Sequence, residues 1–401
     1  MSTPFEFITQ PAELDALDSA MRSAEWIAFD TEFVSEYSYR PQLCLIQIAI
    51  PDQILLIDTI KIPETAIVWD WLKLPGRPVI VHAGREEYLF CHRATGTCPS
   101  GWFDVQLAAG LVTTEYPASY GKLVDRFCGK TLPKGETRTD WRKRPLTPRQ
   151  QDYASQDVAF LFQVYTKLIA ELNQRDRMSW FDAEMQFWTS RVEASISGDA
   201  WHRLSGIHRL SRRQLGVVQE VWRWREQMAE STNVFPRRIL RDDLVIELAR
   251  RESADLQRIK AIRGMEWRKL SQNLDQIAEA IQRGLDTPNE ALPTVPTGGP
   301  PSTLGNLLPQ FLNTALNSLC VAESVAPSLV ATMQDVRDFS QFHLEKNRWK
   351  DKPAPRLMQG WRRDLIGNLL NQLIDGKLAI RIENPKSDHP LVIESTESPK
   401  P

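Results

Sequence analysis

Short apolar runs mark the first part of the chain. They cover residues 26–29, 43–50, 54–57 and 79–81. Each run has the length of a buried strand, and segments with apolar residues at helical spacing lie before and after them. The pattern predicts an α/β domain over residues 1–200, with a mixed sheet flanked by helices and a helical connector at its end.

Strand signals vanish after about residue 182, where helical spacing takes over. The spacing predicts a first helical unit at residues 201–286, with helices over 215–228, 244–250 and 256–262. It also predicts a second helical unit at residues 304–382, with helices over 307–319, 328–339 and 363–373.

Two segments lack periodicity. Residues 287–303 include TPNEALPTVPTGGPP, whose prolines and glycines cannot sustain a helix or a central strand. We interpret this segment as a linker between the helical units. Residues 383–401 carry Pro and Ser without a repeating apolar pattern, which predicts a disordered tail.

Two acidic residues follow the first apolar run directly. Asp30 and Glu32 lie two positions apart, so their side chains project from the same face of the predicted strand. Such a pair commonly binds a hard divalent cation, Mg²⁺ or Mn²⁺, through oxygen. The alternative is a solvated pair of acids at the end of a strand.

A later helix carries a second polar pair. Residues 148–161 are predicted to be helical, with Thr147 as the cap and Pro148 in the first turn. Tyr153 and Asp157 are four positions apart and share one face. Alone, they fit a core tyrosine and a surface acid. Together with Asp30 and Glu32, they fit a metal site that cleaves phosphodiester bonds.

The chain resembles the DEDDy 3′–5′ exonucleases and, within them, the ribonuclease D family. The resemblance covers about the first half of the chain and rests on four blocks in matching order and spacing. They are Asp30-Thr31-Glu32-Phe33 with residues 39–47, His82 to Glu87 with residues 103–109, residues 137–147, and Tyr153 to Asp157. It implies a ribonuclease H-like sheet and removal of 5′-nucleoside monophosphates from RNA 3′ ends.

One position departs from the family pattern. Glu87 stands where the family carries an aspartate, five residues after His82. Glutamate keeps the charge and adds a methylene, so it can still reach a metal. The alternative is a metal displaced by a small distance, which would lower the rate of the reaction considerably. The resemblance places Asp104, another acid of this region, outside the metal shell.

The family resemblance also implies roles for individual residues. Two divalent ions, Mg²⁺ or Mn²⁺, would be held by Asp30, Glu32, Glu87 and Asp157, and the Tyr153 phenol would orient the attacking water. Residues expected to contact RNA are Phe33, Gln42, His82, Gln106 and Arg138. A core position for Phe33 and structural hydrogen bonding for the polar residues are alternatives. Arg138 and Trp141 are expected to anchor the loop before Tyr153.

The first helical unit resembles the helicase-and-RNase-D C-terminal (HRDC) domain, and the second is compatible with a divergent copy of it. Residues 1–200 hold 20 Lys and Arg against 27 Asp and Glu, whereas residues 201–285 hold 17 against 11. A basic helical face could bind phosphates. Its expected members are Arg212, Arg213, Arg237, Arg238, Arg241, Arg250 and Arg251. A solvated arginine-rich surface is the alternative.

Composition is that of an ordinary globular chain of 401 residues, 42% hydrophobic and 25% charged. The five cysteines form no C-x-x-C pair, which disfavours a disulfide framework and a zinc site. No apolar run is long enough for a membrane span and no signal pattern is present, so a cytoplasmic protein without a membrane partner is expected. The sequence gives no indication of oligomeric state.

Three functional hypotheses follow. The first is a metal-dependent 3′–5′ exoribonuclease that trims structured RNA precursors, such as those of tRNA. The second is the same fold acting on DNA 3′ ends. The third is a non-catalytic RNA-binding protein that kept the fold after Glu87 replaced the aspartate. The presence of Asp30, Glu32, Tyr153 and Asp157 argues against this last hypothesis.

Overall fold

A mixed sheet forms the centre of the N-terminal α/β domain. The computed structural model describes residues 4–36, 38–97, 99, 101–133, 139–197, 200–265, 270, 272–293, 307–345, 349–350, 353–387 and 390–396. The six strands of the sheet are β1 (Glu6–Ile8), β2 (Ile27–Val34), β3 (Gln42–Ile50), β4 (Gln53–Ile57), β5 (Val79–Val81) and β6 (Trp102–Asp104). The four predicted strands are confirmed. β1 and β6 have three residues each, too few for a periodic pattern to show.

The strands lie in the order β1-β4-β3-β2-β5-β6. β3 is antiparallel to both β2 and β4, and the other neighbours are parallel. β2 is therefore a central strand, and its C-terminal end carries the predicted acids. The buried faces of the sheet are dominated by Ile, Leu and Val, as expected for strands covered on both sides.

Helices cover both faces of the sheet and connect its strands. They are α1 (Pro11–Ser23), α2 (Ala66–Lys73), α3 (Arg85–Thr95), α4 (Val105–Gly110), α5 (Tyr120–Cys128), α6 (Pro148–Ala159), α7 (Leu161–Gln174) and α8 (Met178–Ser197). The helix predicted over residues 148–161 is confirmed as α6, but it ends at Phe160, whose φ of −112° and ψ of 0° depart from helical values. α7 then starts as a separate helix.

The first helical unit has its own hydrophobic core. Its helices are α9 (Arg212–Thr232), α10 (Pro236–Ile239), α11 (Asp242–Arg251), α12 (Leu256–Lys260) and α13 (Leu274–Asp286). α9 and α13 cross at two glycines: a Cβ on Gly284 would lie 2.5 Å from the Cα of Val217, and one on Gly216 would lie 3.1 Å from the carbonyl oxygen of Gly284. The three predicted helices of this unit are confirmed.

The second helical unit shares the core of the α/β domain. Its helices are α14 (Leu307–Ala322), α15 (Pro327–Val330), α16 (Met333–Leu344) and α17 (Gly360–Arg362), which continues through a π turn (Arg363–Gly367) into α18 (Asn368–Ile374). Leu312, Leu316 and Phe339 belong to the same cluster as the sheet. The buried carboxylate of Glu184 in α8 accepts hydrogen bonds from Arg362 and from the indole of Trp361, which ties this unit to the α/β domain.

Two expectations for this region were wrong. The segment 328–339 is not one helix, because Thr332 interrupts it and caps α16 by accepting from the backbone N–H of Asp335. The tail is not uniformly disordered either. A strand at Leu391–Ser395 pairs antiparallel with Leu378–Ile382, and each strand has only five residues, three apolar ones in a row at its start. Linker residues 294–303 lie outside the described residues.

No helix in the described part of the chain is both long enough and apolar enough to cross a membrane. None of the four cysteines described, Cys44, Cys91, Cys128 and Cys320, forms a disulfide.

Candidate active site

The end of β2 places two carboxylates under helix α6. Asp30 pairs in register with Gln47, and Glu32 pairs with Leu45 of β3. Directly opposed residues of an antiparallel pair project from the same face, so all four share one side of the sheet. Leu45 packs with Ala154 of α6. The acid pair therefore faces α6, as strand alternation predicted.

Helix α6 supplies a phenol and a third carboxylate. Thr147 caps it by accepting from the backbone N–H of Gln150, and the Gln150 side chain accepts from the N–H of Thr147 in return, while Pro148 fills the first turn. The cap and first turn are confirmed. Burial and the nearby Asp157 carboxylate, one turn on, raise the pKa of the Tyr153 phenol. Tyr153 and Asp157 thus act as one unit beside Asp30 and Glu32.

Glu87 reaches β2 from α3, where the neighbouring strand stops. β5 pairs with β2 only at Ile27 and Ala28, which leaves the later residues of β2 open on that side. α3 begins just after β5 and brings Glu87 to this edge. The Thr31 hydroxyl donates to Glu87 Oε1 at 2.5 Å in the buried interior. The extra methylene of glutamate is used to make this contact.

Asp104 fixes the loop that leads into α3. Its carboxylate accepts from the backbone N–H groups of Ala83 at 3.0 Å, Gly84 at 3.2 Å and Gln106 at 2.8 Å. Ala83 has a φ of 55°, an uncommon left-handed conformation that these bonds stabilise. A Cβ on Gly84 would lie 2.5 Å from Val81 Cγ2, so glycine lets the loop approach β5. Asp104 thus supports the site through the backbone, where the family resemblance had put it.

Burial raises the pKa of every carboxyl group in the cluster, and repulsion within the cluster adds to the shift for Asp30 and Glu32. Burial comes first for Asp30, whose pKa lies well above its ordinary value, with added repulsion from Glu87, Asp157 and Glu32. Burial, then Asp157 and Glu87, raise the pKa of Glu32 to about 9. Burial raises the pKa of Glu87 and of Asp157 to about 7. The cluster needs positive charge to ionise fully at neutral pH.

The donor set suits hard divalent ions. It consists of carboxylate oxygens, which Mg²⁺ and Mn²⁺ prefer. Gln47 is fully buried opposite Asp30, and both polar atoms of its amide lack a hydrogen-bond partner among the described residues. A buried amide without partners requires a polar ligand or water nearby. The carboxylates do not form a ready-made metal cage within the described chain, so ion binding requires some of them, Glu87 first, to reorient.

The loop before α6 is anchored by an arginine that the sequence analysis missed. Arg144 donates to both oxygens of the buried Asp58, at 2.6 and 2.7 Å, and to the carbonyl of Cys44 at 2.8 Å. Trp141 is buried, with its ring centroid 6.1 Å from that of Tyr153. Arg138 lies outside the described residues. Because Asp58 and Arg144 are far apart in sequence, no local pattern could predict the pair.

The other residues expected to contact RNA divide into two groups. His82 Nε2 lies 2.9 Å from the carbonyl oxygen of Ala118, and the Gln106 amide donates to the same oxygen at 3.0 Å. This bonding favours their structural interpretation. Gln42 is exposed at the start of β3, and Phe33 is half-buried with its ring edge-on to Phe90 at 5.5 Å. Both are placed where they could meet a ligand.

Most arginines expected on the basic face of the first helical unit are engaged within the protein. Arg212 and Arg213 donate to backbone carbonyls between residues 285 and 292, where they hold the chain after α13. Three others pair with acids of the same unit: Arg237 with Asp242, Arg241 with Asp243, and Arg251 with Glu247. Arg238 and Arg250 are exposed. Five of the seven side chains are thus held by contacts within the protein.

Two family models match the chain. A 3′–5′ exonuclease model covers residues 5–173, and an HRDC domain model covers residues 214–281. Ribonuclease D of Bartonella henselae is 30% identical over 386 residues, which span 95% of this chain and 93% of that protein. Ribonuclease D of Nitrobacter hamburgensis is 31% identical, over 94% of this chain and 97% of that protein.

The chain belongs to the ribonuclease D family. The crystal structure of Escherichia coli RNase D matches with a TM-score of 0.77 and 27% identity, over 93% of this chain and 99% of that one. The sequence-based expectation of a ribonuclease H-like α/β exonuclease domain followed by an HRDC domain is confirmed. The protein is a 3′–5′ exoribonuclease of a family that depends on divalent metal ions.

In the absence of divalent ions, we expect the stability of the protein to fall as pH rises. A carboxyl group with a raised pKa keeps its proton in the folded state after the unfolded chain has released it. The contribution of the cluster to stability is therefore fully present below the unfolded pKa of roughly 4. The contributions of Glu87 and Asp157 are lost as the pH rises to about 7, and the contribution of Glu32 is lost as the pH rises to about 9.

Thermal melts in EDTA from pH 5 to 9 measure this loss against the Glu32→Gln variant, which removes the titration of highest pKa and should flatten the upper part of the curve. Added Mg²⁺ should raise the melting temperature most at high pH, where the carboxylates are free to bind. Identical curves for parent and variant would contradict the electrostatic account.

Proposed function

We propose that the protein trims the 3′ ends of structured RNA, such as tRNA precursors, by a two-metal mechanism at Asp30, Glu32, Glu87 and Asp157. The observation that carries the proposal is the cluster of four carboxyl groups whose pKa values are raised, those of Asp30 and Glu32 in part by the others, beside the Tyr153 phenol. The E. coli relative is described as an exoribonuclease involved in structured RNA processing, which supports this substrate class. A cytoplasmic location stays a prediction from the sequence.

Each acid has a place in this scheme. Asp30, Glu32 and Asp157 would hold one Mg²⁺ or Mn²⁺ ion, and Asp30 and Glu87 a second. The bound ions lower the pKa of the attacking water and neutralise the leaving 3′ oxygen. Asp30 interacts with all three other acids: Glu32 on the same face of β2, Asp157 on α6 and Glu87 on α3. This central position suits Asp30 to serve both ions.

Tyr153 would act by orientation. Burial, followed by repulsion from Asp157 and Glu32, raises the pKa of its phenol, so it stays protonated at neutral pH and cannot serve as a base. After burial, the Asp157 carboxylate one turn away has the largest effect on the pKa of the phenol, which places Tyr153 beside the carboxylates. Phe33 and Gln42 border the same end of the sheet and would contact the terminal nucleotide by stacking and hydrogen bonding.

Loss of Asp157 should stop the reaction. Asp157→Asn keeps the side-chain volume and removes a ligand charge, so we expect hydrolysis to fall at least about a hundredfold. Asp152→Asn on the same helix is the matched control and should cleave normally. The assay follows 5′-labelled RNA and DNA of one sequence with Mg²⁺, with chromatography of the released nucleotides.

Near-normal turnover by Asp157→Asn would contradict the metal assignment. Faster cleavage of DNA than of RNA would contradict the substrate assignment while leaving the metal assignment intact.

The Tyr153 hydroxyl should matter for rate and little for folding. Tyr153→Phe keeps the packing of the ring, so we expect the rate to fall about 10²-fold, as for a lost positioned catalytic group. Tyr165→Phe, a half-buried tyrosine of α7, is the control. Rate and melting temperature are measured together. An unchanged rate with a lowered melting temperature would assign Tyr153 to the core alone.

Glu87 should be required as a carboxylate but not as a glutamate. Glu87→Gln should cripple hydrolysis because the second ion loses its charged ligand, whereas Glu87→Asp restores the residue of the family pattern and should be tolerated. Glu86→Gln, the neighbouring acid on α3 that pairs with Arg85, is the matched control. Full activity of Glu87→Gln would transfer the role to another acid.

A further inference from the structure

A cavity of about 420 Å³ lies where α8 meets the first and second helical units. α8 contributes Phe187 and Arg191 to its lining, the turn after α8 contributes Arg203, and the second helical unit contributes Arg356. Its volume falls within the roughly 300–1,000 Å³ typical of ligand pockets. None of these residues belongs to the acid cluster described above.

The cavity carries excess positive charge. Its acid, Glu184, is already bonded to Arg362, Arg356 and the indole of Trp361, so its charge is used inside the protein. Arg191 and Arg203 are exposed, and no acidic residue within the described chain pairs with either of them. Their guanidinium groups are left to meet an anion from solution. This distinguishes them from Arg212, Arg213 and Arg237, which have partners in the protein.

An aromatic ring stands among these arginines. Phe187 is 41% exposed, which is unusual for a large apolar side chain. The Arg356 guanidinium lies 4.6 Å from the ring centroid, and that of Arg191 lies 5.6 Å from it. Both guanidinium groups lie over the ring, and the part of the ring that stays exposed offers a base a stacking surface next to these cations.

We propose that this cavity binds one nucleotide unit of the RNA strand, with its base on Phe187 and its phosphate on Arg191 and Arg203. Single-stranded nucleic acid is bound by this combination of aromatic faces and unpaired cations. The proposal rests on RNA being the substrate and adds a contact point away from the carboxylates.

The test measures binding without chemistry. A fluorescently labelled single-stranded RNA is titrated with the full-length protein in EDTA, so that binding is read by anisotropy while metal-dependent hydrolysis is absent. Phe187→Leu keeps an apolar side chain and should weaken binding about tenfold, the equivalent of one lost stacking contact. Arg191→Gln with Arg203→Gln should weaken it and lower the log–log salt slope by roughly 0.7 for each arginine.

Three controls make the result specific. Arg126→Gln removes an exposed arginine that also lies over a phenylalanine ring, 5.9 Å from Phe127, but lines no part of this cavity, and it should bind like the parent. Arg191→Lys with Arg203→Lys should retain the salt slope. Cleavage of a dinucleotide with Mg²⁺ should be unchanged in the cavity variants, which separates failure of the cavity proposal from failure of the catalytic one.

Competition with 5′-AMP separates an RNA strand from a free nucleotide as the occupant. Displacement of RNA by AMP from the parent, together with weakened RNA binding by the variants, would support the proposal. AMP binding that depends on Arg191 and Arg203, with RNA affinity unchanged in the variants, would overturn it. Unchanged affinity for both ligands would also overturn it.

Discussion

Crowding of four carboxyl groups, which desolvates them all and makes the others repel Asp30 and Glu32, is the constraint around which this fold is organised. Asp30, Glu32, Glu87 and Asp157 come from a strand and two helices, and burial alone would favour their neutral forms. A protein gains nothing in stability from such an arrangement. The arrangement persists because the surrounding structure holds each element in place. The capping box fixes the start of α6, and the Arg144–Asp58 pair fixes the loop before it. The bonds of Asp104 fix the loop before α3. Bound cations would offset the free energy lost by crowding these carboxyl groups.

The sequence was informative where a local pattern carries the structure. Strand alternation placed Asp30 and Glu32 on one face, and the Thr147 and Pro148 signals placed the start of α6 at the correct residue. It was uninformative where two distant residues meet. The Arg144–Asp58 pair spans 86 positions, the Thr31–Glu87 bond spans 56, and neither has a local signature. Short strands such as Leu391–Ser395 were not predicted for another reason, since five residues are too few to show a periodic pattern of apolar and polar positions.

Counting charge along the chain does not show which arginines stay available to a ligand after folding. The excess of arginine in residues 201–285 is real, but Arg225 is buried against Asp242, and Arg212 and Arg213 hold backbone carbonyls. An arginine bonded within the protein releases few counterions when a phosphate approaches. What matters for binding is the charge left unpaired after folding, which becomes visible only in three dimensions. By that measure the α8 cavity is more basic than the HRDC surface around Arg237.

The two helical units therefore stand in different relations to the catalytic domain. The first has a separate core and touches the α/β domain through exposed contacts such as Arg40 with Glu230 at 2.5 Å, which solvent screens. The second shares the core of the sheet and docks on the buried Glu184. A unit joined by a core cannot move without exposing apolar surface, whereas one joined by surface ion pairs can. The second helical unit is thus built into the core of the catalytic domain, whereas the HRDC domain is attached to it through surface contacts that solvent screens.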